Sequence, residues 1–136
     1  MVASGLSVSA AGVEAYQKLK LKKDFTYIIY TISEDFSEIV VEKTSTSGDY
    51  DDFLADLPED GARHAVYYLE FEKGGAGKQA KIISIAWSPD GAKIKQKMIL
   101  ASSNEELQRV LTGVGVEIQA TDISEVSYEA VVDKAS

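Results

Sequence analysis

Five short segments rich in β-branched and aromatic residues constrain the fold of this 136-residue chain more than any other feature. They cover residues 25–32, 36–43, 62–71, 81–87 and 116–120. Such runs are typical of β-strands, because branched and aromatic side chains pack well on a pleated surface. Short links join the first two segments and the next two. Each pair is therefore predicted to form an antiparallel hairpin, with turns at Glu34-Asp35 and at Gly74-Gly75-Ala76-Gly77.

Helical patterns occupy the intervals between these strands. Residues 7–20 are predicted to form a first helix capped by Ser9, and Asp49 is predicted to cap a short helix that ends before Pro58. Residues 91–111 predict a long helix, which is expected to bend or restart at residues 102–106 because two capping boxes overlap there. A last helix is predicted to open at Asp122 or Ser124. The expected inward-facing residues of the last two helices are Ile94, Met98, Leu107, Leu111, Val126, Ala130 and Val131.

The predicted order is helix, two strands, helix, two strands, long helix, strand, helix. Because a helix separates the last strand from the fourth, those two strands can pair in parallel. The expected fold is an α+β sandwich with a central, mixed, mostly antiparallel five-stranded sheet and helices on both faces. Residues 1–136 are expected to form one domain, with a flexible N-terminal segment at residues 1–6.

Composition excludes several classes of protein. The chain has no cysteine, which rules out a disulfide scaffold, a zinc–thiolate site and a cysteine nucleophile. Neither a signal peptide nor an apolar run of about 20 residues is found, so we expect a cytoplasmic protein with no transmembrane segment. The net charge of −8 argues against nucleic-acid binding. Ten acidic residues and one lysine lie within residues 33–60, while lysines cluster at residues 18–23 and 93–97.

Enzymatic chemistry is not predicted. The single histidine, His64, lies within a predicted strand and has no plausible nucleophile–acid set, so it is interpreted as structural or as a surface residue. The glycine-rich segment 74–78 lacks the spacing of a phosphate loop and joins two strands. Asp49, Asp51 and Asp52 do not fit a calcium-binding loop. We therefore expect no catalytic residue, no metal and no cofactor.

A series of short segments resembles the ADF/cofilin family, whose domain is called the ADF-homology domain. The most informative stretch would open the long helix and reads Trp87-Ser88-Pro89-Asp90, then Ile94-Lys95-Gln96-Lys97-Met98. The other matching segments are Ser4-Gly5, Leu19-Lys20-Leu21, Ile39-Val40-Val41-Glu42, Tyr50-Asp51-Asp52-Phe53, Leu57-Pro58-Glu59, Ala101-Ser102-Ser103, Leu111-Thr112-Gly113-Val114, Gln119-Ala120-Thr121-Asp122 and Ser124-Glu125-Val126. Their common order covers essentially the whole chain, which makes the set specific although no single segment is decisive.

The resemblance implies a fold of the ADF-homology/gelsolin-like type, in agreement with the pattern above. It also implies a non-enzymatic function: binding of monomeric and filamentous actin, with preference for the ADP form, followed by severing and depolymerisation of filaments. The family binds acidic phosphoinositides as well. A monomer is expected, since no strong oligomerisation signal is present.

Residue by residue, the resemblance assigns three sets of contacts. The contact with both monomer and filament would comprise Ser4, Gly5, Lys95, Lys97, Met98 and Arg109. The filament-only contact would comprise Lys81, Asp133 and Lys134. Ser4 matches the family's regulatory phosphorylation site, and Lys95 and Lys97 are candidates for phosphoinositide binding.

The sequence departs from the family pattern at positions that often carry a base, namely Gln79 and Gln108. Ala92-Lys93 also replaces the usual Ala-Pro at the start of the long helix. These departures predict that monomer binding is retained while stable filament decoration is weak. The alternatives are a monomer-sequestering or filament-binding relative that severs weakly or not at all, and a lipid-regulated adaptor, although the net charge of −8 counts against the adaptor.

Overall fold

The computed structural model describes residues 7–33, 37–72 and 77–135, and within them a mixed sheet of six strands. The strands are β1 (Ser7–Val8), β2 (Tyr27–Ile32), β3 (Glu38–Ser45), β4 (Arg63–Glu72), β5 (Lys78–Trp87) and β6 (Val116–Ala120). Their order across the sheet is β1-β3-β2-β4-β5-β6. The expected N-terminal segment 1–6 and the predicted turns at 34–35 and 74–76 lie outside the described residues.

Both predicted hairpins are confirmed, since β2 pairs antiparallel with β3, and β4 pairs antiparallel with β5. A third antiparallel pairing, between β2 and β4, joins the two hairpins. The last strand, β6, pairs in parallel with β5, so that Ile85 lies opposite Ile118. The helix between β5 and β6 supplies the long crossover that a parallel pair requires.

The predicted strand count of five is wrong, because Ser7–Val8 forms a sixth, marginal strand. It pairs in parallel with Glu38 and Ile39 of β3. Two residues are too few to show an alternating pattern, and the predicted first helix, residues 7–20, wrongly includes them. The backbone N–H of Ser9 also donates to the Ile39 carbonyl, at 2.9 Å, and extends this pairing to the start of the helix.

The helices are α1 (Ala10–Gln17), α2 (Tyr50–Ala55), α3 (Ile94–Val110) and α4 (Tyr128–Ala135). Both predicted caps at the first two helices are confirmed: the Ser9 hydroxyl accepts from the Gly12 N–H, and the Asp49 carboxylate accepts from the Asp51 N–H, each at 3.0 Å. A π-helical turn, Lys18–Lys22, continues α1. A 3-10 turn, Ile123–Val126, opens the last helical segment and carries an Asp122–Glu125 capping box.

Helices cover both faces of the sheet, as predicted. On one face, α1 and α3 pack against the strands through buried Tyr16, Leu19, Leu107 and Leu111. The other face packs against α2, the 3-10 turn and α4, whose buried residues are Phe53, Val126, Val131 and Ala135. Successive residues of β2 point to opposite faces of the sheet. Tyr27 and Ile29 pack on the face covered by α2 and α4, and Ile28 and Tyr30 pack on the face covered by α1 and α3. Burial on both faces explains why the central strands are almost wholly apolar.

The predicted interruption of the long helix is wrong, because α3 is continuous through residues 102–106. The hydroxyls of Ser102 and Ser103 donate to the carbonyls of Ile99 and Leu100, each at 3.1 Å. Serine side chains that bond back to the preceding turn are compatible with a helix interior, whereas a cap would require the helix to start there. Two of the predicted inward residues are also wrong, since Ile94 is 75% and Met98 66% exposed.

Candidate functional site

The start of α3 is fixed by contacts with the loop that precedes β4. The indole N–H of Trp87 donates to the Pro58 carbonyl at 2.7 Å, and the Ala62 N–H donates to the Gln96 side-chain oxygen at 3.3 Å. Gly91 approaches this loop so closely that a Cβ atom there would lie 2.5 Å from the Glu59 carbonyl oxygen. These contacts hold the first turns of α3 in a defined position at the edge of the molecule.

The outer face of this helix start is apolar at its centre and basic at its margins. Ile94 and Met98 are four residues apart and therefore adjacent on the helix surface, and both are exposed. Lys93 and Lys95 are exposed beside them, while Lys97 is half-buried and its ammonium donates to the Asp90 carbonyl at 3.4 Å. The structure thus brings Lys95, Lys97 and Met98 together at the start of α3, with Ile94 beside them.

Sequence reasoning missed Ile94 because its spacing fitted the inward face of the helix. The residues that anchor this part of α3 are Ala92 and Leu100, which are buried together with Ala62. Ile123, in the 3-10 turn that follows β6, is also an exposed large apolar residue, at 41%. Its exposure was not predictable, because an isolated isoleucine after a strand gives no periodic signal.

Arg109 is not part of the same cluster. It lies fourteen residues beyond Lys95 on the same helix, a separation of roughly 21 Å at 1.5 Å per residue. Its guanidinium pairs with the Glu106 carboxylate one turn earlier, which raises the pKa of Arg109. The predicted contact set therefore spans the whole length of α3.

Gln108, the second position where the family often carries a base, lies on the side of α3 that faces the sheet. Its amide donates to the hydroxyl of Ser84 at 2.9 Å, and Ser84 is only 2% exposed. A lysine or arginine at position 108 would bring its charge to a partly buried polar contact, where burying a charge costs free energy. The glutamine therefore forms part of the α3–sheet packing, and its effect on the charge of the outer face is small.

The three residues of the predicted filament-only contact lie together at the C-terminal end of α4. Asp133 and Lys134 are exposed on its last turn. Lys81 reaches them from β5, and its ammonium donates to the Ala135 carbonyl at 2.6 Å. This bond caps a carbonyl at the end of the helix, an interaction favoured by the helix dipole. Part of the hydrogen-bonding capacity of Lys81 is therefore used within the protein.

The turn between β6 and α4 is rigidified by a compact set of hydrogen bonds. The Glu125 carboxylate accepts from the backbone N–H of Thr121 at 2.9 Å, from its hydroxyl at 3.0 Å and from the Asp122 N–H at 3.1 Å. Backbone donors favour the charged form of a carboxylate, and they hold the pKa values of Glu125 and Asp122 below their usual range. This turn presents Ile123 to solvent in a defined position.

Ser4 and Gly5 lie outside the described residues. The nearest described element is β1, which lies against α3.

His64 is buried in β4 and only 1% exposed, so of its two interpretations the surface residue is wrong. Within the described residues no cluster of histidine, aspartate or glutamate side chains could hold a metal ion. In that same part of the chain, no helix is both long enough and apolar enough to cross a membrane.

Comparison with known proteins agrees with this architecture. The family model described as "Cofilin/tropomyosin-type actin-binding protein" matches residues 5–136. Cofilin of Mycosarcoma maydis is 53% identical over 99% of this chain and 97% of its own length. Cofilin of Schizosaccharomyces pombe is 50% identical over 98% of this chain and 96% of its own length.

Solved structures give the same result. A crystal structure of cofilin from Streptomyces griseoflavus superposes with a TM-score of 0.91 at 56% identity, and the match covers 97% of this chain and 98% of that one. Actin depolymerization factor 2 of Plasmodium berghei superposes with a TM-score of 0.86 at 26% identity, covering 97% of each chain. On the family match, the full-length relatives and the shared fold, this chain belongs to the ADF/cofilin family of actin-binding proteins.

Proposed function

We propose that this protein binds monomeric and filamentous actin, prefers the ADP form, and severs and depolymerises filaments without catalysing a reaction itself. It acts as a single-domain monomer on the cytoplasmic actin cytoskeleton. The observation that best supports the proposal is the exposed face at the start of α3, where Ile94 and Met98 lie between lysines. Large apolar side chains on a rigid surface helix are costly to expose and are typical of interface centres.

The chemistry of this face suits a partner that is acidic around an apolar groove. Lys95 and Lys97 supply positive charge at the margin, although the chain as a whole carries −8. Charges at the rim of an interface mainly accelerate association and orient the partner, whereas buried apolar residues contribute most of the affinity. We infer that Ile94 and Met98 enter the groove and that Lys95, Lys97 and, further along α3, Arg109 orient the helix.

Filament binding requires a second contact on a neighbouring actin subunit, for which we propose Lys81, Asp133 and Lys134. Their proximity at the end of α4 supports a single surface patch. Severing then follows from differential binding: the protein favours one filament geometry over another and so weakens the contacts between subunits. No chemical step by the protein is needed.

We propose two forms of regulation at the same surface. A phosphate on Ser4 would add about −1.5 to −2 charges to the proposed actin contact and should weaken binding to an acidic partner. Acidic phosphoinositides would compete with actin for Lys95 and Lys97, because both ligands require the same positive charges.

The test is to observe labelled actin filaments by microscopy while purified protein is added. Met98→Ala and Lys95→Gln should each reduce severing and monomer binding. Leu21→Ala and Lys22→Gln are matched controls, since Leu21 is 70% exposed and Lys22 is exposed, both on the π-helical turn, whose Lys20 contacts Thr112 beyond the C-terminal end of α3 and not the start of that helix. If the control variants lose as much activity as the α3 variants, α3 is not the actin-binding face.

A monomer-sequestering function with weak severing is the second candidate, and one observation favours it. Gln79 carries no charge, and the Lys81 ammonium uses part of its hydrogen-bonding capacity on the Ala135 carbonyl, so the filament-only patch has fewer donors available to meet actin. Under this alternative, filaments would shrink from their ends without breaks along their sides. Gln79→Lys should then restore severing, whereas a wild-type protein that already cuts filaments efficiently would exclude the alternative.

A further inference from the structure

An open cleft of about 420 Å³ lies between α3 and the parallel pair β5–β6. One face of α3 forms one wall, and the ends of the two strands, with the residues after them, form the other. The lining residues are Ala86, Ser88, Lys97, Leu100, Ala101, Asn104, Gln119, Ala120 and Thr121. The cleft exists because α3 stands over small residues, Ala86, Ser88 and Ala120, which do not fill the space beneath a helix.

The surface of this cleft is chemically asymmetric. Leu100 and three alanines provide an apolar surface, while Asn104, Gln119 and two hydroxyl groups supply neutral hydrogen-bonding groups. Lys97 provides the only charge among the lining residues. Its hydrogen bond to the Asp90 carbonyl is long, at 3.4 Å, and among the described residues no carboxylate lies within ion-pair distance of its ammonium.

A site of this composition selects for a particular class of ligand. Its volume lies within the range of roughly 300–1,000 Å³ typical of small-molecule sites. A half-buried lysine without a carboxylate partner favours an anion, and an apolar surface favours a hydrocarbon body. A purely apolar ligand would leave Lys97 unpaired, and a small inorganic anion would leave the apolar surface uncovered.

We propose that this cleft binds small amphipathic carboxylates, with the apolar body between α3 and the sheet and the carboxylate on Lys97. The side chains of Asn104 and Gln119 orient the ligand through hydrogen bonds at the rim. The site is separate from the outer face formed by Ile94 and Met98, but it shares Lys97 with it.

The test uses 2-naphthoate as the probe and its neutral analogue 2-naphthamide as the comparison, with binding followed by chemical shifts of backbone amides. 2-Naphthoate should cause saturable shifts centred on Leu100, Ala101, Gln119 and Thr121, and 2-naphthamide should bind at least about tenfold more weakly, the effect of losing one charge-assisted hydrogen bond. Absence of saturable shifts at these residues with 2-naphthoate would overturn the proposal.

Two variants test the geometry. Lys97→Gln should weaken 2-naphthoate binding by about the same factor as loss of the ligand charge. Lys95→Gln should leave 2-naphthoate binding unchanged, because Lys95 lies two residues away and does not line the cleft. Ala101→Phe should block the cleft and abolish the shifts, with the thermal midpoint measured to show that the variant is folded. Equal effects of Lys95→Gln and Lys97→Gln would refute a specific carboxylate contact.

A consequence for regulation rests on the proposed actin contact of Lys97. A bound carboxylate would withdraw that ammonium from actin, so 2-naphthoate should weaken actin binding by wild type and not by Ala101→Phe. If the probe binds the cleft and actin binding is unaffected, Lys97 is not an actin contact, and the cleft assignment stands. If the probe fails to bind while actin binding is normal, the cleft assignment is refuted and the proposed function is untouched.

Discussion

Acidification should destabilise this protein through one residue, His64, well before its carboxylates are protonated. Burial lowers the pKa of His64 from 6.5 to about 4, and the nearby Leu100 backbone offsets only part of this effect. Neither ring nitrogen has a hydrogen-bond partner among the described residues. The neutral form is thus strongly favoured in the folded protein, whereas the unfolded chain binds a proton near pH 6.5.

The sign and size of the effect follow from proton linkage. Between pH 6.5 and pH 4 the unfolded state binds more protons than the folded state, so the free energy of unfolding falls as the pH falls through this window. With these two pKa values, the loss between pH 7 and pH 5 is about 2 kcal/mol and approaches about 3 kcal/mol at pH 4. Asp56, Asp122 and Glu125 have lowered pKa values and lose their contributions only at still lower pH.

The assay is urea denaturation at pH 7, 6 and 5, followed by the fluorescence of Trp87, the only tryptophan. The comparison variant is His64→Leu, which keeps a similar volume and cannot titrate. Wild type should lose about 2 kcal/mol across this range, and His64→Leu should lose less than about 0.5 kcal/mol. Parallel losses in the two proteins would refute the reasoning, because the destabilisation would then come from other groups.

Three further predictions concern local geometry. Gly91→Ala should lower the free energy of unfolding by about 1–3 kcal/mol and weaken actin binding, because the new Cβ would clash with the Glu59 carbonyl oxygen. Gly48→Ala is the control and should be close to neutral, since Gly48 lies in open space; equal urea midpoints for the two variants would contradict the prediction. Lys23→Gly should be more stable than Lys23→Ala by about 1 kcal/mol in thermal denaturation. Lys23 has a φ of 56°, and a left-handed backbone strains any residue with a Cβ. Asp122→Ala should lower the thermal midpoint through loss of the capping box, with Glu117→Ala, at an exposed carboxylate of β6, as the control, and an unchanged midpoint would show that the box is dispensable.

Most of the secondary structure was predictable from local patterns. The β-branched and aromatic runs of β2 and β4, and the caps at Ser9 and Asp49, were identified because each signal depends on residues only a few positions apart. The family resemblance likewise depends on the order of short segments, and it identified the basic start of α3 before any geometry was known. Strand pairing in hairpins followed from short links.

The errors share a different cause. Ser7–Val8 forms a strand only because β3 is available beside it, and a two-residue segment has no periodicity of its own. Residues 102–106 contain sound capping signals, yet the helix continues through them because Ser103 and Leu107 are buried against the rest of the fold. Tertiary packing overrides a local preference of about 1 kcal/mol when it buries larger apolar side chains.

Helix and strand content, the two-sided burial of the sheet and the family were all predictable from the sequence alone, since they depend on periodicity and on the order of short motifs. Three features became visible only in the folded protein: the exposed side of α3, the reach of Lys81 to the end of α4, and the cleft that small residues of β5 and β6 leave beside Lys97. All three arise from contacts between residues that are distant in the chain. Such contacts are set by the packing of whole elements, and no local pattern encodes them.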